Sequence, residues 1–393
     1  MQQQYDYIIT GAGCAGLSLL QRMLQQPFFS TKKILLIDKQ QKINNDRTWC
    51  FWEKQPGAFE AIIHCRWKQI DFYSNEFSAR YDLAPYEYKM IRGIDLYETV
   101  LNKAQSASNV TIVYDEVRSV VNGHEVALVN TASDQFSAVY VFNSIFLNDW
   151  KQQLIQQKNV HLLLQHFKGW LIETDNDHFN ERIATFMDFR IGQNKGTAFT
   201  YVLPVAQKKA LVEYTLFTEN VLASHEYDTE LNRYIHDVLD INRFSVLHEE
   251  YGVIPMTDHK FSRGEGRLIN IGTAGGQTKG SSGYTFQFIQ KHSEKIIEAL
   301  MQERTPLIMQ DFISKRHLLY DSILLKILSN KKMSGDRLFS LLFKKNPIGT
   351  ILKFLDNESS FKEELKIMNS MPAGIFMPVA IQKLVSNTFS FYI

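Results

Sequence analysis

The sequence predicts an α/β protein in which a doubly wound parallel sheet carries an inserted antiparallel sheet and a helical C-terminal region. A strand, a glycine-rich turn and a helix open the chain, and β-rich segments fill its middle. Apolar residues at helical spacing dominate the last third. Together these patterns are typical of an α/β domain that is accompanied by a second, antiparallel domain.

The length allows two or three domains, because 393 residues are divided at about 150 residues per domain. We expect a nucleotide-binding domain built from two segments, 1–155 and 251–310. The first segment has room for a short excursion into the second domain near 58–90. The antiparallel sheet is expected in 156–250 as a substrate domain, and a helical region in 311–393.

Composition argues against several classes of function. Lys and Arg number 43 against 42 Asp and Glu, and a net charge of +1 is low for a general nucleic-acid binder. The three cysteines lack CxxC or Cys/His spacing, which argues against a disulfide framework and a structural metal site and predicts a reduced compartment. No secretory signal and no apolar run of ~18 residues is recognisable. We expect a cytoplasmic protein that meets a membrane, if at all, from one side.

The first motif is a glycine-rich turn between the apolar strand 5–10 and a helix. In Gly-Ala-Gly-Cys-Ala-Gly, the first glycine allows the tight turn, the second lets a pyrophosphate approach the backbone, and the third lets helix and strand pack closely. The N–H groups at the start of the helix favour phosphate. The residues expected at a bound nucleotide are Gly11, Ala12, Gly13, Ala15 and Gly16.

An acidic residue follows this motif at the spacing of a dinucleotide site. The buried strand 34–37 ends at Asp38, 22 residues after Gly16, where a carboxylate can accept the ribose hydroxyls. A glycine turn followed by a chance acid is the simpler alternative. The succession of strand, turn, helix, strand and acid favours dinucleotide binding.

A second glycine-rich segment favours FAD over NAD. The strand 267–271 leads into a loop and a helix that begins near Thr285. Long flavoproteins commonly return such a unit to the isoalloxazine, where a helix N-terminus stabilises negative charge on the reduced ring. A mobile glycine loop is the alternative. The strand 110–114 leads to a segment suited to the adenine edge. The further residues expected at the cofactor are Val117, Gly272, Gly275, Gly276 and Gly283.

The middle of the chain predicts an antiparallel sheet that would roof a flavin. Its β-rich segments are separated by polar or glycine-containing turns and span 166–172, 183–190, 199–204 and 210–217. Period-two alternation places Glu213 between Leu211 and Thr215 on one face of the last segment.

Two acids of this sheet each have two interpretations. If the face that carries Glu213 lines a cavity, desolvation raises its pKa and makes it a general acid. If that face meets water, Glu213 is an ordinary solvated residue. Asp188 is a similar candidate, or it simply pairs with Arg190.

The C-terminal third predicts basic amphipathic helices. Nine Lys or Arg residues against two Asp residues lie between Lys315 and Lys353. Such helices fit a negatively charged membrane surface, or they pack on the core as ordinary surface helices. Residues 311–393 are therefore a candidate membrane-docking surface.

Several motifs resemble those of bacterial lycopene β-cyclases. Residues 45–53, Asn-Asp-Arg-Thr-Trp-Cys-Phe-Trp-Glu, resemble the family's Asn-x-x-Thr-Trp-Ser-Phe motif, and 166–170 resemble its His-Phe-x-Gly-Trp motif. Further similar segments follow in the family's order at 187–188, 201–204, 252–256 and 282–284. The resemblance extends into the helical tail and so covers nearly the whole chain.

The resemblance implies a flavoprotein fold of the hydroxybenzoate-hydroxylase or geranylgeranyl-reductase kind. It implies an isomerase, an intramolecular lyase, that closes the ψ-ends of lycopene to β-rings without net redox change. The family needs FAD in its reduced form, with NAD(P)H as the reductant. The partners implied are lycopene and other carotenoids with acyclic ends, the cytoplasmic side of the inner membrane, and other enzymes of the carotenoid pathway.

The resemblance also implies roles for single residues. The family's acid-rich motif falls on 212–215, which makes Glu213 the acid, or the base that completes the cycle. Tyr214 stands where the family often has a second acid, so Asp188 or a water is expected to assist. Arg47 is expected at the cofactor. Aromatic faces stabilise cations, and the candidates near substrate are Trp49, Trp170 and Tyr284, of which both tryptophans also fit a core.

Two other functions stay open on the same scaffold. One is a flavin-dependent monooxygenase or a prenyl or geranylgeranyl reductase, which would couple the flavin to net redox chemistry. Thr273, where many flavin oxygenases carry a ribityl-binding Asp, argues against the hydroxylase interpretation. The other is a carotenoid- or lipid-binding flavoprotein without turnover.

Overall fold

A computed structural model describes residues 4–147, 149–155, 157 and 160–389 of the chain; residues 390–393 of the predicted helical region lie outside it. Its strands are β1 Gln4–Thr10, β2 Ile34–Asp38, β3 Thr48–Glu53, β4 Cys65–Trp67, β5 Gln69–Tyr73, β6 Ser78–Asp82, β7 Glu87–Arg92, β8 Val110–Tyr114, β9 Val117–Val121, β10 Ala127–Thr131, β11 Gln135–Asn143, β12 Leu162–Thr174, β13 Ile183–Asp188, β14 Thr197–Ala206, β15 Lys209–Thr218, β16 Phe244–Thr257, β17 Gly264–Glu265 and β18 Leu268–Asn270. Its helices are α1 Cys14–Gln25, α2 Gly93–Ser106, α3 Trp150–Ile155, α4 Ser224–Asp237, α5 Phe286–Met301, α6 Phe312–Ser329, α7 Gly335–Lys345, α8 Ile348–Leu355, α9 Phe361–Ser370 and α10 Ala373–Phe389.

A parallel sheet forms the nucleotide-binding part, with the strand order β18-β11-β1-β2-β8. β2 is buried along its whole length because α1, α2 and α5 cover one face of the sheet and the paired strands β9 and β10 pack on the other. α1 and α5 pack together on it, where the Arg22 guanidinium donates to the side-chain oxygen of Gln290 at 2.7 Å. β18 comes from the distant segment after 260, so both predicted nucleotide-binding segments meet in one sheet.

A seven-stranded sheet, in the order β16-β12-β15-β14-β13-β5-β6, forms the second part. β5 and β6 come from the segment near 58–90, and β16 runs past the predicted boundary at 250. Since side chains alternate between the two faces of a strand, directly paired residues define each face. We call the face that carries Tyr201, Glu213 and Gly169 the cleft face, and the opposite face, covered by α4, the α4 face.

A three-stranded sheet, β3-β7-β4, lies between the two parts. β3 contains the Asn-x-x-Thr-Trp motif. Its alternate residues Thr48, Cys50 and Trp52 lie on one face and Trp49 and Phe51 on the other. Phe51 stacks on Phe286 of α5 at 4.1 Å between ring centroids, which fixes β3 on the nucleotide-binding core.

The C-terminal helices pack against the cleft face. α7 buries Phe339 and Phe343, and Phe343 stacks on Phe72 of β5 at 4.3 Å. For much of α7 and α8 the structure therefore shows ordinary core packing. Within the described residues no helix is both long and apolar enough to cross a membrane. The predicted mixed α/β architecture with a helical C-terminal region is confirmed.

Candidate active site

The first glycine turn has the geometry of a phosphate site. Gly11 has φ +94°, and a Cβ at Gly16 would lie 2.0 Å from the Gly11 carbonyl oxygen, so neither position accepts a side chain without strain. Gly13 caps the N-terminus of α1, and no other group lies within 4 Å of where its Cβ would be. The backbone beside Gly13 is therefore open to a ligand.

Asp38 lies at the end of β2 next to this turn. Its carboxylate accepts the backbone N–H of Ala12 at 2.7 Å and that of Gln40 at 3.1 Å, and Lys42 lies 3.4 Å away. These contacts hold the carboxylate beside the glycine turn, where it can accept the ribose hydroxyls of a bound dinucleotide. Val117 begins β9, which follows β8, the neighbour of β2 in the sheet.

The second glycine segment meets the first. A Cβ at Gly272, which has φ +64°, would lie 2.7 Å from the Cβ of Ala15 in α1. Gly276 and Gly283 also have positive φ. A Cβ at Gly275 would lie 2.2 Å from the Asn270 carbonyl oxygen. The late loop therefore closes over the N-terminus of α1.

Polar atoms around the late loop lack partners. The buried side-chain atoms that make no hydrogen bond among the described residues include Gln165 Oε1, Gln277 Oε1 and Ser282 Oγ at this loop. Buried polar groups rarely stay unpaired, so this loop is suited to a ligand with a polar edge. An isoalloxazine has such an edge, and together with the open turn at Gly13 these atoms fit FAD. Arg47 lies at the surface, with its guanidinium 3.7 Å from Asp46, and its charge reaches Cys14 at the start of α1.

The cleft face brings two carboxyl groups together. Glu213 of β15 and Glu250 of β16 both pair with Gly169 of β12, from opposite sides. A Cβ at Gly169 would lie 3.1 Å from Glu250 Cγ and 3.4 Å from Glu250 Oε1. The glycine of the His-Phe-x-Gly-Trp motif therefore leaves the space across which the two side chains meet.

Hydroxyl groups hold the outer oxygens of this pair. The Thr215 hydroxyl donates to Glu213 Oε1 at 2.9 Å, and the Thr48 hydroxyl donates to Glu250 Oε2 at 2.7 Å. The other oxygen of Glu250 is buried and has no hydrogen-bond partner. Burial and the charge of Glu250 raise the pKa of Glu213 well above its usual value, and burial raises the pKa of Glu250. The first interpretation of Glu213, as a residue that faces a desolvated site, fits this structure.

Aromatic side chains surround the pair. The charge of Glu213 contributes to the raised pKa values of Cys50, Tyr201 and Tyr284, which places these groups around it. The rings of Trp52 and Tyr284 meet edge to face at 4.9 Å. A small, partly open cleft lies beside them and is lined by Cys50, Phe51, Trp52, Tyr284, Thr285, Phe286, Gln287, Phe288 and Asp356. Of the three predicted aromatic residues, Tyr284 lies here.

Asp188 is on the other side of the sheet. It pairs with Thr200, which pairs with Tyr214, so it belongs to the α4 face. Its buried carboxylate accepts three hydrogen bonds from the Arg190 side chain, at 2.6, 3.0 and 3.2 Å, and one from the Tyr234 hydroxyl of α4 at 2.8 Å. The structure shows the ion pair that was the alternative, and it does not bring Asp188 beside Glu213.

Both predicted tryptophans are also away from the pair. Trp170 pairs with Val212 and packs in the α4-face core. Trp49 points from β3 into the nucleotide-binding core, where its ring meets that of Tyr97 at 6.1 Å. His166 is fully buried between the hydroxyls of Tyr227 and Thr218, and burial lowers its pKa to about 4.

The sequence resembles one known protein family along nearly its whole length. The sequence profile of the family described as lycopene cyclase protein matches residues 6–379. The chain belongs to this lycopene cyclase family. No curated protein sequence matches the chain. Among the described residues, no three His, Cys, Asp or Glu side chains are grouped as a metal site requires.

Solved structures share the fold of this lycopene cyclase family member. A geranylgeranyl bacteriochlorophyll reductase-like protein from Thermoplasma acidophilum is 13% identical with a TM-score of 0.61, covering 98% of this chain and 100% of its own. A flavoprotein/dehydrogenase from Cytophaga hutchinsonii is 10% identical with a TM-score of 0.61 and the same coverage. p-Nitrophenol 4-monooxygenase from Pseudomonas putida is 12% identical with a TM-score of 0.56, covering 98% of each chain. These are the scaffolds that the sequence predicted.

Sequence reasoning missed Glu250, the contact made by Thr48, and Trp52. Glu250 is next to Glu249 on an edge strand, so one of two consecutive acids faces the cleft and the other faces away. Its signal was its position two residues before the Gly-x-Ile-Pro-Met segment. Thr48 and Trp52 both belong to the motif at 45–53, and the alternation along β3 distinguishes them from Trp49.

Proposed function

We propose that this member of the lycopene cyclase family is a lycopene β-cyclase, an isomerase that converts lycopene to γ-carotene and β-carotene. The observation that carries the proposal is the pair of facing carboxyl groups, the partly buried Glu213 and the buried Glu250, on a face lined by aromatic rings. Family membership supports a carotenoid substrate. Ring closure needs a proton donor, a water-poor site and a base, and these residues are suited to each.

Glu213 is the proposed proton donor. Burial and the charge of Glu250 raise its pKa well above its usual value, which favours the protonated carboxyl that a terminal C=C of the substrate needs. The next double bond then attacks the tertiary cation, and a ring proton leaves to a carboxylate. The rings of Trp52 and Tyr284 present their π systems to the cation and exclude water.

FAD fits the two glycine segments, and the residues that would hold it are those of the turn at Gly11–Gly16, Asp38, and the loop at 272–283. Bound in its reduced form, with NAD(P)H as the proposed reductant, it supplies a fixed negative charge in a dry site. The loop ends at Tyr284, beside Glu213, so the cofactor loop and the carboxyl pair adjoin each other.

Expression in a lycopene-accumulating bacterium, followed by chromatography of the pigments, tests this function. We expect lycopene to be converted to β-carotene by the native chain and not by Glu213→Gln, which should keep FAD bound. Anaerobic conversion by the purified protein with reduced FAD and no stoichiometric NADPH use would exclude a monooxygenase or reductase. Unchanged lycopene with folded, FAD-loaded native protein would overturn the proposal.

We also propose that the protein docks on the cytoplasmic face of the inner membrane, since lycopene dissolves in lipid. An apolar patch on α6 and α9 supports this, and we call it the α6–α9 patch. Its exposed side chains are Phe312, Ile313, Phe361, Leu365 and Met368. Exposed lysines flank it at Lys315, Lys362 and Lys366. Apolar side chains ringed by lysines complement an anionic lipid surface.

A further inference from the structure

We infer that Glu213 and Glu250 share a single proton across Gly169, and that Glu250 is the positioning residue that keeps this proton on Glu213. The inference rests on the proposed function, because it assigns the second group of the acid–base cycle. It stands on the geometry of the sheet. Neighbouring strands are about 4.8 Å apart, so two side chains that face each other across one middle strand can meet only if the middle residue is small.

The unpaired oxygen of Glu250 is the second observation. Glu250 Oε2 accepts the Thr48 hydroxyl, while Glu250 Oε1 is buried, lies on the Gly169 side and has no partner among the described residues. A buried carboxylate oxygen without a donor is costly. A protonated Glu213 supplies that donor, because its O–H then donates to Glu250 Oε1 across the gap.

The surroundings decide which of the two carries the proton. A hydroxyl donates to each carboxyl, Thr48 to Glu250 at 2.7 Å and Thr215 to Glu213 at 2.9 Å, so these two contacts nearly offset each other. The hydrogen bond from Glu213 and the nearby His248 also lower the pKa of Glu250, whereas burial and the charge of Glu250 raise the pKa of Glu213 well above its usual value. Other titratable groups face the pair from every neighbouring element. They are Cys50 of β3, Tyr201 of β14, His248 of β16, Tyr284 before α5, Asp46 before β3 and, at greater distance, Asp356 after α8.

The proton balance of ring closure follows from this pair. The O–H bond of Glu213 breaks and a C–H bond forms at the terminal C=C, so the positive charge moves to the substrate carbon. Two carboxylates then lie side by side, and like charges this close in a dry site cannot both stay ionised. Loss of the ring proton to the pair restores its single proton, and no electron is gained or lost.

A pH–rate profile tests the inference, with purified protein, reduced FAD and lycopene in liposomes. Activity requires protonated Glu213, so it falls as pH rises through the pKa of that group. In Glu250→Gln the neighbouring negative charge is gone and the pKa of Glu213 falls. We therefore expect the high-pH limb to move down by at least one pH unit, which is a tenfold lower rate on that limb.

Glu249→Gln is the matched control. Glu249 is the preceding residue, lies on the opposite face and pairs with Lys168 at 3.1 Å. The pH–rate profile of Glu249→Gln should match that of the native protein. Because both variants use the same flavin, comparing Glu250→Gln with this control cancels any pH dependence of the flavin. If Glu250→Gln does not fold, Thr48→Val replaces it. A singly protonated pair also requires Glu250 to be ionised, so activity falls at low pH as Glu250 is protonated. Loss of the Thr48 hydrogen bond raises the pKa of Glu250, so this low-pH limb should move up.

The outcomes separate this inference from the proposed function. If the native protein does not cyclise lycopene, the function fails. If it does, and neither Glu250→Gln nor Thr48→Val shifts a limb, the shared proton is refuted. An infrared band of a protonated carboxyl at neutral pH, lost in Glu213→Gln, would support the inference, and its absence from the native protein would contradict it.

Discussion

At the scale of single residues, the site depends on a glycine, Gly169, where any side chain would fill the space between the two glutamates. Gly169 has no backbone conformation that demands glycine, because its φ is not positive. What it provides is space between Glu213, Glu250 and Leu211. The sequence shows only that a glycine follows the His-Phe pair after one residue. The pairing of β15, β12 and β16 shows that this glycine leaves room for the two glutamate side chains.

Gly169→Ala should therefore reduce turnover without unfolding the protein. The new methyl group would lie 3.1 Å from both Glu250 Cγ and Leu211 Cδ1, and Glu250 would have to move. Misplaced catalytic groups commonly cost about 10²-fold in rate, and we expect at least a tenfold loss of kcat with FAD still bound. Gly192→Ala, in a loop with open space, is the control. Equal rates in the two variants would contradict this role of Gly169.

Glu213 could be predicted from the sequence and Glu250 could not, for a physical reason. β15 is a central strand that is buried along nearly its whole length, so a single acid within it stands out. β16 is an edge strand whose outer residues are exposed, so its pattern is weak and Glu250 is indistinguishable from Glu249. The glycine turn at 11–16 could be predicted because all of its residues are neighbours in the sequence.

At the scale of elements, the late glycine loop is fixed by a buried ion pair. The Lys279 ammonium lies 2.9 Å from Asp321 of α6 and donates to Asn357 at 2.8 Å, and Ser281 donates to Asp321 at 2.6 Å. Neither Lys279 nor Asp321 is appreciably exposed. The loop that faces the cofactor site is thus tied to the C-terminal helices, which sequence patterns could not connect to it because the partners are about 40 residues or more apart.

Removing one partner of this pair should destabilise the protein strongly. Lys279→Met or Asp321→Leu each leaves an unpaired buried charge, which costs about 3–5 kcal/mol. The double variant should lose less than the sum of the two, measured by chemical denaturation. Glu358→Gln, which breaks the exposed pair with Lys291, is the control and should cost less than about 1 kcal/mol. Additive losses in the double variant would show that the two residues act independently.

At the scale of the whole molecule, the C-terminal helices form both a buried core over the cleft face and an exposed apolar patch. α7 and α8 bury their apolar residues over the cleft face. The α6–α9 patch points outward, and Arg316 organises it: its guanidinium binds Glu364 at 2.7 and 2.8 Å and lies 5.7 Å from the rings of Phe312 and Phe361. The buried pair of Lys279 links α6 to the glycine loop, so the proposed docking surface and the cofactor loop share one helix.

Replacing Phe312 and Phe361 by serine should release the protein from membranes. Both rings are exposed, at 75% and 55%, so serine costs the fold little, while each ring buried in lipid contributes about 1.5–3 kcal/mol. We expect at least tenfold weaker co-sedimentation with phosphatidylglycerol vesicles, and weaker binding of the native protein to neutral vesicles or at high salt. Ile43→Ser, at an exposed side chain of the nucleotide-binding part, is the control. Unchanged vesicle binding by the Phe312/Phe361 variant would exclude the α6–α9 patch as the docking surface, and cyclisation of detergent-solubilised lycopene should persist because the carboxyl pair is untouched.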